Sequence, residues 1–131
     1  MTELTGADRL RRRFILMTGD SAMESALQAQ MLPGWDMVRV TDLGEIGDWH
    51  DGLFYRFLLL DLDETDIFDP LDVVCILRMR HAVNIPVFCF GGDENLKDEM
   101  RLARADCFFG RDEILNLLPR FMEQYRWGSD E

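Results

Sequence analysis

Hydrophobic residues fall along this chain in short unbroken runs separated by longer amphipathic stretches, and the two textures alternate from Phe14 to Tyr125. Phe14-Ile15-Leu16-Met17 is one such run, with arginines before it and Thr18-Gly19-Asp20 after it. Four apolar residues without a polar interruption predict a strand covered on both faces. Ser21 then precedes Ala22, Met23, Ala26, Leu27 and Met31 at helical spacing, with Glu24 three residues on. That is the sequence form of a capping box, and it predicts a first helix from Ser21 to the break at Pro33-Gly34. Asp36 to Val40 alternates weakly and predicts an edge-proximal second strand, while Leu43, Ile46 and Trp49 predict a short second helix. Phe57-Leu58-Leu59-Leu60 is the strongest strand pattern and ends in Asp61-Leu62-Asp63-Glu64.

Pro70 suits the first turn of a third helix, with Leu71, Val74, Cys75, Leu77 and Met79 on its apolar side and Arg78 and Arg80 at its C-terminal end. Ile85 to Phe90 predicts a fourth strand stopped by Gly91-Gly92-Asp93, followed by a helix from about Glu94 to Arg104. Cys107-Phe108-Phe109 predicts the fifth strand. The last helix begins near Asp112 and carries Ile114, Leu115, Leu118, Phe121, Met122 and Tyr125 on one side. Pro119 conflicts with that pattern, because proline lacks a donor and crowds the preceding turn, so a kink or a split into two helices is expected.

Five strands alternating with five helices through short connections require parallel pairing, right-handed crossovers and helices on both faces. The predicted fold is therefore a doubly wound α/β sandwich with a five-stranded parallel sheet in the flavodoxin-like order 2-1-3-4-5. It is expected to span 14–127, with 1–13 as an N-terminal extension and 128–131 as a C-terminal tail. Ligands of such sheets sit beyond the carboxyl ends of the strands, near the switch in strand order. The loops there present Thr18-Gly19-Asp20, Asp61-Leu62-Asp63, Gly91-Gly92-Asp93 and Gly110-Arg111-Asp112. Asp61 is placed to point from the central strand into that crevice.

Charge narrows the function. Over 131 residues, 25 acidic side chains against 14 basic ones give a net charge of −11, which argues against binding phosphate backbones or anionic lipid surfaces. The cluster Arg9 to Arg13 is read as a solvated turn leading into the first strand. No apolar run approaches the length needed to span a bilayer. Cys75, Cys89 and Cys107 lack the paired spacing of a zinc or thioredoxin-type site; lying in apolar runs, they are read as buried reduced thiols. With no secretory leader in view, they place the protein in the cytoplasm. There is no GxGxxG, no GxxxxGK[ST] and no GxSxG, so phosphate-cradling and serine-hydrolase chemistry lack their motifs. His50 and His81 fall in connections remote from the crevice and are assigned surface or capping roles.

The segments Phe14 to Ser21, Phe57 to Asp63, Ile85 to Gly92 and Arg104 to Arg111 together resemble the receiver domain of two-component response regulators, from Phe14 to about Tyr125. In that family an aspartate at the end of strand three accepts a phosphoryl group from a histidine kinase, and Asp61 stands in the corresponding place. The resemblance is to a degenerate member. The acidic pair that holds Mg²⁺ corresponds to Thr18 and Gly19, with Asp20 one place later. The hydroxyl residue ending strand four corresponds to Gly91, the strand-five lysine to Arg111, and the cis-proline after it to Asp112. The chain's single lysine, Lys97, falls in the fourth helix, so no shift of register supplies the missing one. Arginine offers a broad planar fork instead of a compact ammonium, and Arg111 is expected to pair with Asp61 as a lock.

The resemblance implies an atypical receiver-like interaction module in signalling or regulation, independent of phosphorylation, not an enzyme and without a cofactor. Family behaviour puts the partner surface at Arg101, Arg104, Phe108 and the last helix. The acidic surface suits a regulatory protein with a basic patch, and a second copy of the chain is another option. Two alternatives stay open. In one, Asp61 is a phosphoacceptor, Arg111 a phosphate clamp, and Asp20, Asp61 and Asp63 hold Mg²⁺ weakly. In the other, the same crevice serves a flavodoxin-like small-molecule binder.

Overall fold

The computed structural model describes residues 12–46, 55–64 and 66–126. Its strands are β1 (Arg12–Met17), β2 (Trp35–Arg39), β3 (Leu58–Asp61), β4 (Val87–Phe90) and β5 (Cys107–Phe109). All pair in parallel in the order β2-β1-β3-β4-β5. The α-helices are α1 (Ser21–Gln28), α2 (Pro70–Cys75), α3 (Glu94–Leu102) and α4 (Arg111–Gln124). Alternation along the strands explains the unbroken apolar runs. Ile15, Met17, Leu58, Leu60, Val87 and Cys89 face α2 and α3 through Val73, Val74 and Met100. Phe14, Leu16, Leu59, Phe88 and Phe90 face α1 and α4 through Met23, Leu27, Ile114, Leu118 and Met122. The inner strands β1, β3 and β4 are thus apolar on both sides because each side is covered.

Several expectations need correction. The cap of α1 is Asp20, not Ser21: its carboxylate accepts the N–H groups of Ala22 at 3.0 Å and Met23 at 3.2 Å. Glu24 instead approaches Arg39 at 3.4 Å. The helix also ends at Gln28, short of Pro33-Gly34. The second helix is only a 3₁₀ turn, Leu43–Ile46; Trp49 and His50 lie outside the described residues. Arg12 and Arg13 belong to β1 and are half-buried, with the Arg13 guanidinium 4.4 Å from the centre of the Tyr55 ring. They are not part of a solvated turn, and the rest of 1–13 lies outside the described residues, as does 128–131.

Pro70 does sit in the first turn of α2, behind an Asp69 cap. The helix then widens into a π turn, Ile76–Arg80, which carries Leu77 and Arg78 inward and leaves Met79 80% exposed. Met79 therefore falls off the expected apolar side. The wider turn serves Arg78, whose guanidinium donates to the carbonyls of Val83 and Ile85 (2.8 Å each) and Arg104 (3.1 Å), and to Asp106 Oδ2 at 2.9 Å. α4 runs unbroken through Pro119. The bond that Pro119 cannot donate is outweighed by Ile114, Leu118 and Met122, all fully buried along one face. Of the cysteines, Cys89 is buried, Cys75 half-buried and Cys107 exposed. Cys107 departs from expectation because β5 is an edge strand.

Candidate functional site

Because the strands are parallel, the residues that end them gather at one edge of the sheet. Thr18 follows β1, Asp61 closes β3, Gly91 follows β4, and Arg111 opens α4 just beyond β5. Thr18 is fully buried and the Asp61 side chain is only 4% exposed. Both oxygens of Asp61 are engaged. Oδ2 accepts from Thr18 Oγ1 at 2.6 Å; Oδ1 accepts from the Asp63 N–H at 2.9 Å and from Arg111 Nη1 at 2.7 Å. Thr18 Oγ1 in turn accepts the Asp20 N–H at 3.1 Å, which ties the end of β1 to the cap of α1.

Arg111 reaches further than the expected pair. Its Nη1 also donates to Asp63 Oδ2 at 3.0 Å, and its Nη2 to Asp20 Oδ2 at 2.8 Å. Its guanidinium carbon lies 5.2 Å from the centre of the Phe90 ring, within range of a cation–π contact. Burial alone would lower the pKa of Arg111, but hydrogen bonds and charge from Asp61 and then Asp63 outweigh it and raise the value. The Asp20 carboxyl titrates below its ordinary range. The Met23 N–H is the main cause; against a desolvation penalty, the Ala22 N–H and then Arg111 add to it.

Gly91 and Gly92 have φ of +78° and +82°, in the left-handed region that favours glycine. A Cβ on Gly91 would run into the Asp63 carboxylate, and one on Gly92 would meet Leu62 Cβ at 2.7 Å. The Gly92 N–H donates to Asp63 Oδ1 at 2.9 Å. A serine or threonine at Gly91, the residue type the resemblance puts there, would have to displace Asp63. Gly19, Asp20, Asp61, Asp63, Glu64 and Arg111 line an open crevice of about 350 Å³.

The donor set does not fit the divalent cation that the resemblance implies. The carboxylates of Asp20, Asp61 and Asp63, which would ligate it, all turn to one guanidinium. Among the described residues no group of three His, Cys, Asp or Glu side chains is disposed to hold a metal ion. The structure thus gathers Asp20, Asp61, Asp63 and Arg111, whereas His81 stays in the connection between α2 and β4.

At the expected partner surface, the guanidinium carbon of Arg101 lies 4.7 Å from the centre of the Phe108 ring, and its Nη1 contacts Asp98 at 2.7 Å. Phe108 is half-buried against the core. Arg104 is exposed on a residue with φ of +76°, its carbonyl held by Arg78. Sequence reasoning missed Leu102, which is 87% exposed beside them. It also missed Thr18, whose hydroxyl donates to Asp61 and accepts the Asp20 N–H, and the hub at Arg78. An arginine inside the otherwise apolar stretch from Val73 to Met79 was the available signal for the hub.

No family model and no curated protein sequence matches this chain. Solved structures do. The phosphorylated cyanobacterial phytochrome response regulator RcpA superposes with a TM-score of 0.71 at 15% identity, covering 91% of this chain and 96% of that one. The Mn²⁺-bound form of response regulator Rcp1 gives 0.62 at 15% identity over 86% of this chain and 90% of that one. A signal receiver domain from Bermanella marisrubri gives 0.63 at 19% identity over 83% and 96%. At these identities the likeness is one of fold: the chain folds as a response regulator receiver domain.

Proposed function

We propose that this chain, folded as a receiver domain, works as a protein-interaction module of a signalling system in a conformation set without phosphorylation of Asp61. The observation that carries this reading is the state of the Asp61 carboxylate, both of whose oxygens accept short hydrogen bonds, one of them from Arg111. A nucleophile needs a free lone pair aimed at the electrophile, and with two bonds at Oδ1 and one at Oδ2 Asp61 keeps a single one, on the oxygen bound to Thr18. Phosphoryl transfer to a carboxylate also brings like charges together, at about 4 kcal/mol for two unit charges 4 Å apart in an effective dielectric of 20. A divalent cation normally offsets that repulsion, and the arrangement around Arg111 does not favour one. Gly91 offers no side-chain hydroxyl to respond to a phosphoryl group.

In this reading Arg101, Leu102, Arg104, Phe108 and α4 form the contact surface. The net charge of −11 favours encounter with a basic partner, while the surface itself offers an exposed leucine between two arginines. The partner is a regulatory protein or a second copy of this chain. The setting is cytoplasmic, in keeping with the finding that no helix among the described residues is long and apolar enough to cross a membrane. No enzymatic step is assigned to the module.

A second reading keeps Asp61 as phosphoacceptor with Arg111 as phosphate clamp and Asp20 and Asp63 as metal ligands. It is favoured by the position of Asp61 at the carboxyl end of the central strand. One experiment separates the two. Wild type and Asp61→Asn are incubated with a small phosphodonor and Mg²⁺, and their intact masses are compared. The proposed function expects no gain in either. A gain of one phosphoryl group in the wild type alone promotes the second reading. A chromophore absorbing in the purified protein would instead support the flavodoxin-like binder.

A further inference from the structure

We infer that the cavity between the 3₁₀ turn Leu43–Ile46 and the flank of α2 is a binding site for a small organic cation, an ammonium group carried on an apolar body. The cavity encloses about 420 Å³, within the range of small-molecule sites. It arises from a mismatch of lengths. A four-residue 3₁₀ turn spans about 8 Å, whereas Pro70 to Arg80 spans roughly 16 Å as helix, so the turn covers only about half of the flank it faces. Asp69, Asp72, Val73, Ile76 and Arg80 recur at helical spacing along that flank, and all five line the cavity. The floor is apolar. Met17, Leu43 and Val73 are buried beneath it, Phe68 and Ile76 are half-buried beside them, and Ile67 lines it while 51% exposed.

The cavity and its floor make the site, and the charges at the rim decide which ligand enters it. Asp42, Asp69 and Asp72 stand there exposed, contributed by two separate elements. Asp42 and Asp69 each give one oxygen to a backbone N–H, of Gly44 at 2.7 Å and of Leu71 at 3.0 Å. Among the described residues no donor meets the second oxygen of either, or any carboxylate oxygen of Asp72. α2 starts at the carboxyl edge of the sheet and runs toward the other edge, so Asp69 and Asp72 mark one end of the cavity and Arg80 the other, two turns on. Three carboxylates against that guanidinium leave a formal charge of −2 at the rim of a chain of net charge −11. An anionic ligand is repelled by both fields, whereas an ammonium is drawn to the carboxylate end while its apolar body leaves water for the floor. The inference does not draw on the state of Asp61 and goes beyond the function proposed above.

The test is an amide NMR titration of the wild-type chain with tryptamine and with indole-3-propionate, which carry the same ring and spacer but opposite charges. Tryptamine should bind saturably, about tenfold or more tighter than indole-3-propionate, with the shifts centred on the amides of Leu43, Gly44, Ile67 and Val73. The double substitution Asp42→Asn with Asp72→Asn, both at exposed positions, should weaken tryptamine about fivefold or more. Removing the same charge from α3 by Asp98→Asn with Glu99→Gln should change its affinity by less than about twofold, which separates the cavity from the general pull of an acidic surface. Arg80→Ala should bind tryptamine at least as tightly as wild type. Absence of saturable tryptamine binding up to about 10 mM, equal affinity for the two probes, shifts centred outside the cavity, equal losses in the two double variants, or a loss of binding in Arg80→Ala would each overturn the inference.

Discussion

Asp20 caps α1, receives Arg111 Nη2, and passes its own N–H to Thr18. Its carboxyl titrates below the ordinary value of 3.8, so the folded state holds its charged form and the unfolded state takes up the proton first. The stability this provides is present above about pH 4 and is lost as pH falls through the lowered value. Asp20→Asn keeps a good capping residue but removes that dependence. The stability difference between wild type and variant, read from urea unfolding, should therefore shrink steadily as pH falls below about 4. Gly91→Ser tests the other side of the crevice: a left-handed φ costs a non-glycine residue about 1–2 kcal/mol, and the new Cβ collides with Asp63 as well. A loss at or above that range is expected from denaturant unfolding, and a neutral substitution would show that Asp63 yields freely. At this scale the sequence revealed Arg111 and Asp61, because only one basic residue stands at the end of β5. It pointed to the wrong cap, since Ser21 and Glu24 match a local motif while the competing claim of Asp20 depends on donors and on an arginine 91 residues away.

Among the elements, strands were the legible part, since four apolar residues in a row admit few other homes once both faces of a parallel sheet need cover. β5 was placed to the residue, while β4 begins at Val87 instead of Ile85. The π turn and the 3₁₀ turn were not legible. The π turn is tied to the acceptors of Arg78, which come from the segments before β4 and β5 and leave no trace in local periodicity. Arg78 is 4% exposed at its side chain, and burial lowers its pKa against the charge of Asp106. Arg78→Met fills similar space but strips donors from three carbonyls and leaves the part-exposed Asp106 with only the Val87 N–H at 2.7 Å. The expected cost is about 3 kcal/mol, at the lower end for breaking a buried pair because Asp106 keeps contact with water. Hydrogen exchange should rise at Val83, Ile85 and the turn at Arg104 before it rises in β1 or β3. Unchanged protection there would mean that the hub does not hold those segments.

For the molecule as a whole, the alternation of elements was enough to give strand order, and strand order alone places Asp20, Asp61, Asp63 and Arg111 at one edge. The surface proposed for a partner was only half visible in the sequence, because Leu102 reads as one more apolar residue of an amphipathic helix. It is exposed because α3 ends at it and turns away through Ala103 and Arg104. A phosphorylation switch must move a population between two conformations, and going from 1:99 to 99:1 takes about 5.5 kcal/mol of differential stabilisation. With Arg111 already bonded to three carboxylates and glycine at position 91, the crevice offers no evident source for that difference. Asp61→Asn should therefore leave partner affinity within about threefold of wild type, a change of roughly 0.6 kcal/mol. Leu102→Asp, distant from the crevice in sequence and fully folded by circular dichroism, should weaken the same complex at least tenfold, about 1.4 kcal/mol. Arg101→Ala should act in the same direction by freeing the Phe108 ring, since its exposed ion pair with Asp98 contributes little to stability. The measurement is calorimetric titration of the partner recovered by crosslinking. If Asp61→Asn abolished binding while Leu102→Asp left it intact, the contact would lie at the crevice edge of the sheet, and the surface around Phe108 would be packing alone.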